Sequence, residues 1–145
     1  MGTKKIINAG IIGSGFAAGF HVEALRRVYG AGVHIVGVFS RNENNAQLFS
    51  EKYAIPYIPE LHDLIDTCDV LHICTPPVTH ETLAVMILLK GKHVIIEKPL
   101  TGYFGSGENL NGDNFPREEG LKEAVKTPPF KNFPMVPRVV YGSGC

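Results

Sequence analysis

Neither sign of charge is in excess, since 14 Lys and Arg balance 14 Asp and Glu. That balance gives no general attraction to a polyanion, so nucleic acid is not an expected partner and any anion must be met by local charge. Cysteine is scarce. Cys68, Cys74 and Cys145 are odd in number and lack Cys-x-x-Cys spacing, which argues against a disulfide frame or a zinc site and fits a reducing cytoplasm. Long apolar runs are missing too. The longest, residues 83–89, falls far short of a bilayer. Asn8 and Gly10 interrupt the stretch after Lys4 and Lys5 before a secretory leader could form, and Ile6 stands where a myristoylation signal needs Ser or Thr. No membrane association is expected. His34, His62, His72 and His93 are scattered without the spacing that collects a metal, so no metal site is expected. No Ser/His/Asp set accompanies a strained nucleophile turn, and no internal repeat occurs.

What is present is an alternation. Residues 5–12 form a short apolar run ended by glycines, as in a strand buried on both faces. From Phe16 to about Tyr29, Ala17, Phe20 (with Ala24 and Leu25) and Val28 recur at helical spacing, and Gly30 and Gly32 stop the helix. Residues 33–39 read as a second strand, and Asn42 as the cap of a helix reaching Tyr53 with Ala46, Phe49 and Leu48 as its inward set. A short third strand over 55–58 and a helix over 60–66 opened by Pro59 follow. A fourth strand spans 69–74, a helix capped by Thr79 runs through Lys90 to Gly91, and a fifth strand covers 93–96. The expected fold is α/β, a doubly wound parallel sheet of the Rossmann type.

Gly13-Ser14-Gly15-Phe16-Ala17-Ala18 lies between the first strand and the first helix, the context that gives a glycine-rich loop its meaning. Gly13 permits the tight turn, Gly15 lets backbone approach a diphosphate, and Ala18 allows close helix–strand packing. The free N–H groups at the helix start complete an anion site. After the second strand comes Phe39-Ser40-Arg41, with no carboxylate until Glu43. Without an acidic residue to accept from a ribose 2′-OH, and with Arg41 as a bidentate partner, a 2′-phosphate is favoured. The expected cofactor is therefore NADP, with NAD through Ser40 still open.

Three motifs in register carry a resemblance. Gly13-x-Gly15-x-x-Ala18, Cys74-Thr75-Pro76-Pro77-x-x-His80 and Gly91-Lys92-His93-Val94-x-x-Glu97-Lys98-Pro99-Leu100 resemble the Gfo/Idh/MocA oxidoreductases over residues 5–100. The resemblance implies a nicotinamide dinucleotide as ligand and hydride transfer with a sugar or polyol, including cyclitols, as substrate. It implies that Thr75 and Pro76 pass under the nicotinamide with His80 nearby, and that Glu97 and Lys98 stand at its ribose. Lys98 would be the catalytic residue, contacting the reacting hydroxyl, with Pro99 in a constrained turn that aims it inward. A solvated first-turn His80 is the competing reading. His21 reads as a packing or capping residue, and Cys68 and Cys74 as small buried hydrophobes.

Residues 1–100 are thus expected to form the dinucleotide-binding domain. Residues 101–145 hold seven of the 16 glycines and five of the 10 prolines and suggest an irregular tail with one helix over 117–126. A loop over 101–105 resembles an insertion of some family subgroups, and residues 133–141, with Pro134 and Pro137, make a poor central strand. The usual second domain, which supplies the substrate pocket, is not legible there, and a fragment is expected. Two functions stay open at this point: the cofactor domain of an oxidoreductase, or a non-catalytic NAD(P)-binding module acting as sensor or partner subunit. A homo-oligomer is compatible with either.

Overall fold

The computed structural model describes residues 5–100 and the backbone of Val140–Tyr141. The features expected over 101–105, 117–126 and 133–139 lie outside the described residues. Five strands form one sheet in the order β2-β1-β3-β4-β5. They are β1 (Ile6–Ile12), β2 (Gly32–Phe39), β3 (Val70–Ile73), β4 (His93–Ile96) and β5 (Val140–Tyr141), and every pairing is parallel. The helices are α1 (Phe16–Arg26), α2 (Glu43–Tyr53), α3 (Leu61–Thr67) and α4 (His80–Leu89).

Alternate strand residues face opposite ways, so a sheet covered on both faces needs apolar side chains at successive positions. Ile11 packs with Ala18 and Val22 of α1, Val38 of β2 and Phe49 of α2. Its neighbour Ile12 packs on the other face with Leu64 and Ile65 of α3 and with Ala84 and Ile87 of α4. This is the doubly wound arrangement expected from the alternation. Asn42 caps α2 by accepting from Asn45 N at 3.0 Å. Gly91, at φ +71°, ends α4 with its N–H on Leu88 O, while Lys92 N–H reaches Ile87 O.

Several local expectations need correction. Residues 55–58 make only a bridge, Val38 to Tyr57: the donors towards β2 fall at alternate positions, and Pro56, the one before Ile58, has no N–H to lengthen the ladder. The segment 93–96 is consequently the fourth strand, and β5 at the edge is the fifth. Helix α1 ends at Arg26, and Val28 and Tyr29 beyond it are exposed, with no core to hold them. Its buried residues are Ala18, Gly19 and Val22; Phe20 is exposed, since apolar residues nearly encircle this helix and spacing alone does not select a face. Leu48 is likewise exposed. Glu60, not Pro59, stands at the start of α3, where Leu64 N bonds Glu60 O. Thr79 precedes α4 without capping it, its hydroxyl being committed to Pro76 O.

Candidate functional site

Sheet register builds the site. Ile12 pairs with Phe39 and with Ile73, and Ile73 pairs with Ile96, so four strands end level. Their successors Gly13, Ser40, Cys74 and Glu97 form a row along the carboxyl edge. The row is laced together by backbone bonds, Gly13 N to Phe39 O at 2.8 Å, Cys74 N to Ile12 O at 2.8 Å and Glu97 N to Ile73 O at 3.1 Å. Open parallel sheets place ligands at this edge, where the strand order reverses on either side of the first strand.

Gly13 turns the chain at φ +111°, and a Cβ there would lie 2.7 Å from Cys74 O. Both the dihedral and the backbone contact exclude a side chain. Ser14 and Ser40 hydroxyls meet at 3.0 Å, tying this loop to the end of β2. Gly15 then stands at the N-cap of α1 in an extended conformation, with no side chain capping the helix and no acidic residue in its first turn. Among the described residues nothing lies within 4 Å of where a Gly15 Cβ would be. Phe16 is exposed, Ala17 half-buried, and Ala18 fully buried against the sheet, as close helix–strand packing requires. A groove of about 310 Å³ opens beside Ser14, Gly15 and Phe16 and continues along Asn45 and Lys52 of α2. Ser40 is half-buried, whereas Arg41 is exposed.

The turn after β3 is held from within. Thr79 donates its hydroxyl to Pro76 O at 2.8 Å, so the 2.7 Å contact between Thr75 and Thr79 hydroxyls is donated by Thr75. His80 is fully buried, which removes the reading of a solvated first-turn residue. Its ring lies between two carbonyl oxygens, with Nε2 at 2.8 Å from Thr75 O and Nδ1 at 2.9 Å from Pro99 O. In its neutral form the ring has one N–H and donates to one of these carbonyls. His80 is thus wedged between the Thr75-Pro76 and Lys98-Pro99 turns, with its ring nitrogens towards them instead of the open edge. The Lys98–Pro99 peptide is cis, and Lys98 is exposed at the carboxyl edge, not turned into the core.

One cluster was not foreseen. His21 of α1 places Nε2 at 2.7 Å from Glu97 Oε1 and Nδ1 at 2.8 Å from Nδ1 of His72, a β3 residue. The two imidazoles meet edge to face. His72 is buried and its Nε2 has no hydrogen-bond partner among the described residues. Burial, with His21 alongside, lowers its pKa to about 4, so the ring is neutral near pH 7. The hydrogen bond from His21 holds the Glu97 carboxyl below the usual carboxylate range. Sequence separations of 51 and 76 residues gave no spacing from which to read this cluster. Cys68 and Cys74 are buried, with thiol pKa values pushed up to about 12, as expected of apolar filler. Among the described residues no group of His, Cys, Asp and Glu could hold a metal, and no helix is long and apolar enough to cross a membrane.

Residues 7–111 match the model of an oxidoreductase family with an NAD-binding Rossmann fold, Gfo/Idh/MocA. The chain belongs to this family and carries its NAD(P)-binding Rossmann fold. It is 36% identical over 97 residues to glucose-6-phosphate 3-dehydrogenase of Bacillus subtilis, an alignment covering 67% of this chain and 26% of that enzyme. GenD2 from gentamicin A biosynthesis, solved with NAD, superposes with a TM-score of 0.62 at 26% identity over 70% of this chain and 29% of that one. KijD10, a 3-ketoreductase from Actinomadura kijaniata solved with NADP, gives 0.59 at 28% identity over 68% of this chain and 32% of that one. The chain spans about a quarter of the length of the curated relatives it matches.

Proposed function

We propose that the loop 13–18 holds the diphosphate of NADP and that the domain serves hydride exchange with a sugar or cyclitol hydroxyl or carbonyl. The observation that carries this reading is the uncapped start of α1 beside Gly15. N–H groups that no side chain claims, the positive end of the helix dipole and empty space at Gly15 together suit a diphosphate. The open space at Gly15 leaves room for the backbone to approach a diphosphate, so the residues present fit the group.

Ser40 and Arg41 follow β2, where the adenosine ribose of a bound dinucleotide lies in this fold class. An exposed guanidinium with no carboxylate before Glu43 favours a 2′-phosphate, through bidentate charge-assisted bonds. Thr75 and Pro76 line the nicotinamide side in this reading, and Glu97 accepts from its ribose. When bound, the nicotinamide supplies the hydride carrier. Lys98, exposed at the carboxyl edge, donates a proton to or withdraws one from the reacting oxygen. His80 contributes by packing between the two turns. The sugar assignment draws on the relatives: B. subtilis glucose-6-phosphate 3-dehydrogenase and A. ferrooxidans UDP-N-acetylglucosamine 3-dehydrogenase are both named for sugar substrates.

The test is a titration of the chain and its Arg41→Ala variant with NADPH and NADH. Loss of a bidentate phosphate contact is expected to weaken NADPH by about tenfold or more, with NADH changed by less than about twofold. Equal weakening of both nucleotides would refute the 2′-phosphate assignment.

A further inference from the structure

We infer that His21 is a positioning residue for the Glu97–Lys98 turn, held in one tautomer by His72. Through it, the helix whose N-terminus takes the diphosphate also orients the carboxylate on the nicotinamide side. The inference rests on the dinucleotide reading above.

The hydrogen inventory of the cluster has one economical solution. An ionised Glu97 carboxylate only accepts, so His21 Nε2 carries hydrogen and donates to Oε1 at 2.7 Å. The two Nδ1 atoms, 2.8 Å apart, need one donor and one acceptor between them. His72 is neutral and has a single N–H to place. On Nε2 that hydrogen would be a buried donor without a partner among the described residues. On Nδ1 it donates to His21 and leaves only a lone pair unmet, and orphaned buried N–H groups are the rarer and costlier kind. The chain of donation therefore runs from His72 Nδ1 to His21 Nδ1, and from His21 Nε2 to Glu97. With both nitrogens engaged, the His21 ring has one orientation. This is the logic by which an outer partner fixes a histidine's tautomer and aim.

What His21 fixes is a turn as well as a carboxylate. Lys98 follows Glu97 directly, and its backbone N–H helps to hold the Glu97 carboxyl below the usual range, so fixing the carboxylate bears on the segment that carries the Lys98 ammonium. Neither His21, half-buried beneath the edge, nor His72, buried in the sheet, has to touch ligand for this.

The experiment uses the full chain, its His21→Leu and His21→Gln variants, and two probes, NADPH and ADP, the second lacking the nicotinamide half. His21→Leu is expected to weaken NADPH about tenfold while ADP stays within about twofold, and His21→Gln, which keeps an amide donor for Glu97, is expected to recover most of the loss. Parallel weakening of both probes would overturn the positioning role and leave a merely structural one in α1. An unchanged NADPH affinity in His21→Leu would overturn it as well. A wild-type chain that binds neither probe would instead overturn the dinucleotide reading, and this inference with it. Independently of ligand, the imidazole ¹⁵N shifts are expected to report an Nε2–H tautomer for His21 and an Nδ1–H tautomer for His72. An Nε2–H tautomer at His72 would contradict the held arrangement.

Discussion

Replacing the two loop glycines by alanine separates what the fold needs from what a ligand needs. At Gly13 the backbone lies at φ +111°, a region costing an L-residue about 1–3 kcal/mol. The new Cβ would also lie 2.7 Å from Cys74 O, a backbone atom whose residue is itself bonded to Ile12 O. Relief requires moving two adjacent strand ends, so the total is about 3 kcal/mol or more, a large share of the roughly 5–15 kcal/mol that stabilises a domain. At Gly15 the backbone is extended, at φ −86° and ψ −171°, which alanine adopts freely, and the Cβ would meet nothing. Only a weaker helix cap is lost, at about 1 kcal/mol or less. Once a diphosphate lies against this loop, the same Cβ displaces it from one or two N–H donors worth about 1.5–3 kcal/mol each. Urea unfolding and NADPH titration of both variants make the comparison. Gly13→Ala is expected to lower the unfolding midpoint strongly, whereas Gly15→Ala should unfold near wild type and bind NADPH at least about tenfold more weakly. A Gly15→Ala variant that binds as tightly as wild type would refute the reasoning, as would a Gly13→Ala variant of unchanged stability.

Other outcomes follow from the same geometry. His72, at about pKa 4 in the fold against about 6.5 unfolded, takes up its proton only when the chain opens, so unfolding binds a proton between those values. Stability is therefore expected to fall by about 3 kcal/mol as pH drops from 6.5 to 4, and urea midpoints of His72→Leu should show a visibly shallower decline; an identical decline would contradict the assignment. Ala54 ends α2 with φ +47°, exposed to solvent, so Ala54→Gly should raise the unfolding free energy by about 1 kcal/mol, and a loss of stability would show that the strain is absent.

The legible parts of this chain were those encoded locally. The Asn42 cap, the Gly91 stop and the position of the glycine loop between strand and helix each depend on a residue acting within a few positions of itself, and the structure has each where it was expected. Periodicity failed where it was ambiguous. Apolar residues nearly surround α1, and only packing shows that Val22 faces in while Phe20 faces out. The short apolar run over 55–58 looks like a strand until the donor that Pro56 lacks is counted. The His21–His72–Glu97 cluster lay beyond reach for a different reason. It joins α1, β3 and the end of β4, and such a contact exists only after the sheet order is set. The placement of His80 was half legible: its motif pointed to the turns after β3 and β4, but not to burial between their carbonyls.

Amide chemical-shift mapping of the ¹⁵N-labelled chain during addition of NADPH tests the central claim most directly. Shifts are expected at residues 13–18, 40–41, 75 and 97–98, the row that the level strand ends build along the carboxyl edge. The hollow at the opposite end of the strands, lined by Lys5, Asp69, Lys90 and Lys92, should stay silent. Shifts concentrated in that hollow, or none at millimolar NADPH, would contradict the account.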